Sequence, residues 1–310
     1  MTGVARGLGL TVAAGLGALA YATVEARWYT LRRFTVPVLP AGQAPLRVLH
    51  LSDLHLTPGQ RRKAEWVRSL AALDPHLVID TGDNIAHPDA VPVLLDAFAP
   101  LLERPGAFVM GSNDYYAPVP KNPARYLRAD ARQLGRQKQL LPFGDMTAAF
   151  REAGWRDLAN RRDDVVADGR RIALVGVDDP HLDRDRFPDS TRGGRGAGSQ
   201  PVDLRLGVAH APYQRVLRAM HDDGADLILA GHTHGGQLCV PGWGALVTNC
   251  DLDTGRAKGL HGWPGPRPDE PGGADSTWLH VSAGLGTSPY TPVRFACRPE
   301  ATLLTLVAAA

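Results

Sequence analysis

Two histidines one residue apart, His232 and His234, stand in the run Gly231-His232-Thr233-His234-Gly235-Gly236-Gln237. Paired imidazoles on a glycine-flanked loop are suited to hold a metal ion, because glycine leaves the ring nitrogens free of steric cover. The same chemistry recurs upstream. Asp53 and His55 lie two residues apart in Ser52-Asp53-Leu54-His55. Alternate side chains of an extended segment face the same way, so this oxygen and nitrogen donor can share one ion. Taken alone, the pair is a weak signal, and a surface aspartate with a capping role is the commoner reading. Asp83 follows Gly82, Asn113 and Asp114 follow Gly111-Ser112, and His210 precedes Ala211-Pro212. Each is a polar group beside a turn residue and carries little weight by itself.

Their weight comes from what precedes each of them. Leu46–Leu51, His76–Asp80, Ala107–Met110, Leu204–Ala209 and Asp226–Ala230 are short aliphatic runs bounded by turn signals, the pattern of buried strands. Helical segments are expected over Arg61–Leu73 and Ala90–Leu102, and again after Pro212 through Met220. Strand, helix, strand in that order makes a βαβ unit with parallel strands. Parallel strands bring their carboxyl ends to one edge, where ligands of α/β sheets gather. All five strands end in a candidate ligand at that edge, which chance does not account for.

The chain has 310 residues, 44% of them hydrophobic, enough for a substantial core in one large α/β domain. A net charge of +2, with no basic run interleaved with aromatics, gives no electrostatic case for nucleic acid. Cys239, Cys250 and Cys297 lack C-x-x-C spacing and read as small hydrophobes, neither a disulfide framework nor a zinc ribbon. From Gly7 to Val24 there is no charge. As a helix this stretch would reach about 27 Å, barely a bilayer. Residues 1–26 are therefore expected to be a single-pass membrane anchor. A cleavable signal peptide with its site near Ala20-Tyr21-Ala22, or a helix of the main domain, are the alternatives. The arginines after the leader lean toward a cytoplasmic catalytic domain. Residues 27–45, with Pro37, Pro40, Gly42 and Pro45, are expected to be a linker, and 46–308 the domain.

Asp53-x-His55, Gly82-Asp83, Gly111-Ser112-Asn113-Asp114, His210 and Gly231-His232-x-His234, in this order, resemble the calcineurin-like metallophosphoesterases, particularly the bacterial branch with a membrane leader. Ser282–Ser288 and Pro292-Val293-Arg294-Phe295 are similar to that branch's closing segment. The resemblance covers residues 46–308. It implies a four-layer α/β/β/α double β-sandwich with two metal ions at the sheet edge. Carried over position by position, Asp53, His55 and His234 would hold one ion, Asn113, His210 and His232 the other, and Asp83 would bridge them.

The chemistry of the residues agrees with that implication. Two ions about 3.5–4 Å apart can share a hydroxide and clamp a phosphoryl group. Imidazole, carboxylate and amide donors without thiolate suit Mn, Fe or Zn rather than Mg or Ca. The expected function is metal-dependent hydrolysis of a phosphodiester, phosphomonoester or pyrophosphate, with a lipid-linked or sugar-nucleotide substrate in view. One motif departs from the family, where the third motif reads Gly-Asn-His followed by an acid. An ungapped match sets Ser112 at that Asn and Asn113 at that His. A one-residue shift keeps Asn113 as ligand and puts Asp114 at the histidine, so Asp83, Asn113 and Asp114 are the expected catalytic groups. The histidine is missing in either register, which leaves a metal-stabilised binding protein as the alternative function. Tyr115–Asp145, with Tyr116, Lys121, Arg125 and Arg128, is long enough to cover the site. Arg192–Ser199 reads as a flexible glycine-rich excursion.

Overall fold

The computed structural model describes residues 2–120, 139–189 and 202–309, with side chains described from Ala13 onward. Two six-stranded sheets form its centre. The first runs β1 (Thr30–Leu39), β14 (Glu300–Ala308), β2 (Leu46–Leu51), β3 (Leu77–Asp80), β4 (Gly106–Phe108) and β5 (Arg156–Asp157). The second runs β12 (Gly259–Trp263), β13 (Thr277–Val281), β9 (Leu227–Ala230), β8 (Leu204–Ala209), β7 (Arg170–Gly176) and β6 (Arg161–Ala167). A short hairpin, β10 (Cys239–Val240) and β11 (Gly244–Ala245), follows the histidine loop. The helices are α1 (Thr2–Glu25), α2 (Arg61–Ser69), α3 (Val91–Leu102), α4 (Ser112–Tyr115), α5 (Phe143–Glu152) and α6 (Gln214–Asp222).

The layers follow from how each strand divides its side chains. Val48, Ile79 and Val109 of the first sheet's strands and their ends meet Leu206, Leu229 and Trp278 of the second in the space between the sheets. Their sequence neighbours Leu49, Val78 and Phe108 turn the other way, toward Val67, Leu94, Phe98 and Phe150 of α2, α3 and α5. Ile228 and Leu279 do the same on the second sheet and meet Val216, Leu217 and Met220 of α6. The result is an α/β/β/α stack. Strands covered on both faces are apolar at most positions, hence the aliphatic runs. Each fully buried aliphatic side chain contributes about 1.5–3 kcal/mol. In α2 the buried Lys63, Ala64 and Val67 recur at helical spacing while Arg61, Arg62 and Arg68 face solvent. A 3-10 turn over Leu70–Leu73 then ends it at left-handed Asp74.

Strands β2, β3 and β4 are mutually parallel, as are β8 and β9. The five candidate motifs therefore leave two different sheets, and their loops meet across the end of the sandwich.

Two expectations change. Residues 30–39, expected within a linker, form β1, a ten-residue strand parallel to β14 at the sheet edge. Thr30, Phe34, Thr35, Val36 and Val38 favour an extended chain, and Pro37, which has no N–H to donate, sits where the register shifts. The N-terminal helix forms as α1. Among the described residues, however, no helix is long and apolar enough to cross a membrane. Lys121, Arg125 and Arg128 and the Arg192–Ser199 stretch lie outside the described residues.

Candidate metal centre

Asp53, His55, Asp83, His232 and His234 all have positive φ, between 45° and 69°. For residues with a Cβ this conformation is costly and persists only where surrounding structure enforces it, commonly at functional sites. Here it bends each loop off its strand so that the polar side chain points back over the sheet end. Glycine permits the crowding: a Cβ on Gly231 would sit 1.8 Å from Ser52 Oγ, and one on Gly111 would sit 2.2 Å from Asp83 Oδ1.

His55 Nε2 and His234 Nε2 are 3.2 Å apart, and Asp53 Oδ1 lies 3.5 Å from His234 Nε2 and 4.0 Å from His55 Nε2. Asp83 Oδ2 lies 3.5 Å from His55 Nε2 and 3.6 Å from His210 Nε2. Ligand bonds of about 2.0–2.2 Å place neighbouring donor atoms roughly 3.0–3.6 Å apart, which all of these spacings but the 4.0 Å one match. Among the described residues, Asp53-His55-His234 and Asp53-Asp83-His210 are the groups whose donor atoms gather closely enough to hold an ion.

Hydrogen bonds settle which atoms are free to do so. His210 Nδ1 lies 2.7 Å from the Thr81 carbonyl and donates to it, so Nε2 is the atom left to face an ion. His234 Nδ1 lies 3.1 Å from the Gly286 carbonyl and 3.3 Å from Arg294 Nη2, so it is held on that side and Nε2 faces the cluster. Asp53 Oδ2 accepts from Ser52 Oγ at 2.6 Å and from the His232 backbone N–H at 2.9 Å. Asp53 Oδ1 and His210 Nε2, like His55 Nδ1, are buried and have no hydrogen-bond partner among the described residues. Orphaned buried donors and acceptors are costly, and two of them aimed into one cluster of imidazoles and carboxylates fit a divalent cation.

The electrostatics point the same way. Burial drives His55 down to about 4, against the pull of Asp83, so its ring is neutral and can ligate. Burial alone would lower His210 too, but Asp83, Asp53 and Asp179 outweigh it and raise the ring to about 9. Without an ion, that imidazolium balances the crowded carboxylates. Burial also lifts Asp53 to about 6, in spite of His210.

The other expected residues take different places. Asn113 holds Asp83 twice, its backbone N–H donating to Oδ1 and its amide Nδ2 to Oδ2, each at 2.7 Å. His232 packs its ring 5.2 Å from that of His210, with Nε2 3.3 Å from the Asn249 carbonyl. Asp114, expected as a catalytic group, turns inward and is fully buried. Its Oδ2 accepts the backbone N–H groups of Asp83 and Gly111, and its Oδ1 that of Asn84. That geometry makes it a brace between two loops rather than a group facing substrate.

A model of the calcineurin-like phosphoesterase family matches residues 46–236. The chain belongs to this family. It is 26% identical over 305 residues to the phosphodiesterase YaeI of Escherichia coli, covering 96% of this chain and 95% of that one. It is 30% identical over 287 residues to a bovine transmembrane protein with a metallophosphoesterase domain, covering 88% of this chain and 56% of the relative. Among solved structures, a 5′-nucleotidase precursor from Thermus thermophilus aligns with 84% of this chain and 55% of its own at 14% identity, TM-score 0.41.

A sixth strand end also reaches the site. After β7 the chain reads Val177-Asp178-Asp179-Pro180-His181, and the His181 ring lies 4.4 Å from that of His232, with Nδ1 3.2 Å from the Tyr213 hydroxyl. Asp179 is fully buried, and burial lifts its carboxyl to about 7 in spite of His210. The aliphatic run ending in two aspartates was the available signal. Arg294 is the other residue whose role the sequence hid. Fully buried, it donates to the carbonyls of Ala283, Gly284 and Gly286 and, more distantly, of His234.

Proposed function

We propose that this chain hydrolyses phosphoesters, phosphodiesters foremost, at a two-metal centre. The observation that carries the reading is Asp83 Oδ2, which stands within 3.6 Å of one imidazole from each side of the site, His55 and His210. Asp53, His55 and His234 would hold one ion, and His210 with Asn113 and His232 the other, with Asp83 between them. Bound divalent ions of the Mn, Fe or Zn kind would neutralise phosphoryl oxygens and supply a nucleophile at neutral pH. The protein's part is to fix that geometry: Gly286 orients His234, Thr81 orients His210, and the buried Arg294 pins the loop carbonyls around them. The phosphodiesterase name of the bacterial relative favours diesters.

A second reading, a metal-binding protein with weak or no turnover, is favoured by one observation. The third motif carries no imidazole in either register, and the Asn113 side chain is spent on Asp83. Leaving-group protonation then falls to solvent or another group, which matters least for an activated leaving group. Turnover of bis-p-nitrophenyl phosphate by the full chain with added Mn2+, compared with Asp83→Asn, separates the two. Turnover abolished by that change supports the enzyme; equal background in both chains supports the binder.

A further inference from the structure

His50 on β2 and His280 on β13 meet in the space between the two sheets, both fully buried, with their Nδ1 atoms 2.9 Å apart. His50 Nε2 lies 3.0 Å from Thr81 Oγ1, Thr81 Oγ1 lies 2.6 Å from Ser52 Oγ, and Ser52 Oγ lies 2.6 Å from Asp53 Oδ2. These contacts run unbroken from the second sheet, through the first, to a candidate metal ligand.

Proton accounting gives the chain a direction. An ionised carboxylate only accepts, so the single Ser52 proton goes to Asp53. Ser52 Oγ must then accept, and Thr81 supplies the proton; the Leu51 carbonyl, 3.4 Å away, is the poorer target. With its proton committed, Thr81 Oγ1 accepts from His50 Nε2–H. Burial pushes the His50 ring down to about 3, and burial with His50 beside it pushes His280 well below its usual range, so both rings are neutral. A neutral His50 protonated at Nε2 has a bare Nδ1, which must accept from His280 Nδ1–H. That leaves His280 Nε2 bare, and it is the ring atom of His280 without a partner. An orphaned acceptor is tolerated better than an orphaned N–H.

We propose that His50 and His280 are positioning residues for Asp53, the start of a one-way chain of four hydrogen bonds that fixes Oδ2 and turns Oδ1 toward the metal. The proposal rests on Asp53 being a ligand, as in the functional reading above. Each donor in such a chain polarises the next, so the Ser52 hydroxyl binds the carboxylate more strongly than an isolated serine. Groups that orient ligands in this way typically govern affinity by about 10–100-fold.

The test compares His50→Gln and His50→Leu in the full chain. Gln can accept from His280 through Oε1 and donate to Thr81 through Nε2, whereas Leu fills a similar volume with neither. Calorimetric titration with Mn2+ alone should give Gln near-native affinity and Leu an affinity about 10–100-fold weaker. A role in packing alone would rank Leu with or above Gln. The 15N shifts of the metal-free protein read the direction independently, and should show His50 protonated at Nε2 and His280 at Nδ1. The opposite tautomers, or equal Mn2+ affinity in the two variants, overturn the proposal. Absence of Mn2+ binding by the native chain overturns the functional reading and this proposal with it, while native binding indifferent to residue 50 overturns the proposal alone. Should His50→Leu fail to fold, Thr81→Val breaks the same chain at its middle and is expected to behave as His50→Leu was.

Discussion

The carboxylate of Asp114 accepts the backbone N–H of Asp83 at 2.7 Å, tying the loop after β4 to the residue that stands between the two candidate ion positions. With the N–H groups of Gly111 and Asn84, three backbone donors depend on this one side chain. Asp114→Ala leaves them buried and unpaired, at about 1–3 kcal/mol each before relaxation. The variant is expected to unfold at clearly lower denaturant and to bind metal weakly at both positions. Asp114→His should share that loss. Native stability with higher turnover in the histidine variant would contradict the brace.

Asn113 and Ser112 separate by the same logic. Asn113 makes two 2.7 Å bonds to Asp83, while the Ser112 hydroxyl reaches only Asn113 Nδ2, at 3.4 Å. Asn113→Ala should weaken the ion at His210 by about 10–100-fold, and Ser112→Ala should change it little. The reverse ranking in metal titrations would move the ligand role to Ser112.

Much of this site was legible because five aliphatic strands each deliver a donor just past their carboxyl end, a local pattern that needs no partner to be read. What the pattern lacks is pairing. Nothing local distinguishes Leu204–Ala209 from Leu46–Leu51, yet they belong to different sheets. Thr30–Leu39 was hidden for the same reason: its partner, β14, begins at Glu300, and Pro37 resembles a linker residue until it is seen at an edge. Asp114 and Arg294 were misjudged or missed because a charged residue in a loop says nothing about which way it turns. Only the surrounding backbone shows that Asp114 faces three N–H groups and Arg294 faces a ring of carbonyls.

Removal of that guanidinium should be severe. Arg294→Met leaves the Ala283 carbonyl without its donor, removes one of two partners from the Gly284 and Gly286 carbonyls, and frees the loop bearing His234. A loss of about 1–3 kcal/mol in unfolding free energy is expected, since a buried carbonyl is left without a partner. Metal held by His55 and His234 should weaken more than metal held by His210. A stability change under about 1 kcal/mol would contradict the account, because that is the range of surface changes.

The buried His50 gives a pH dependence with a definite sign. Its ring titrates near 6.5 when unfolded and, pushed down by burial, at about 3 when folded. Its contribution to stability is therefore complete above pH 6.5 and is lost as pH falls toward 3, by up to about 1.4 kcal/mol per pH unit. In metal-free protein, the native chain should lose stability more steeply than His50→Gln between pH 6.5 and 4. Parallel curves from urea unfolding would show that the His50 ring is not held neutral by the fold.

The most direct test of the two-metal centre is the ion content of the reconstituted chain. After loading with Mn2+ and removal of loosely bound ion, elemental analysis should find about two ions per native chain. Asp83→Ala, which removes the oxygen between His55 and His210, should lose both, whereas His55→Ala should lose chiefly one. A native content of one ion or none, or equal losses in the two variants, would contradict Asp83 as the bridge.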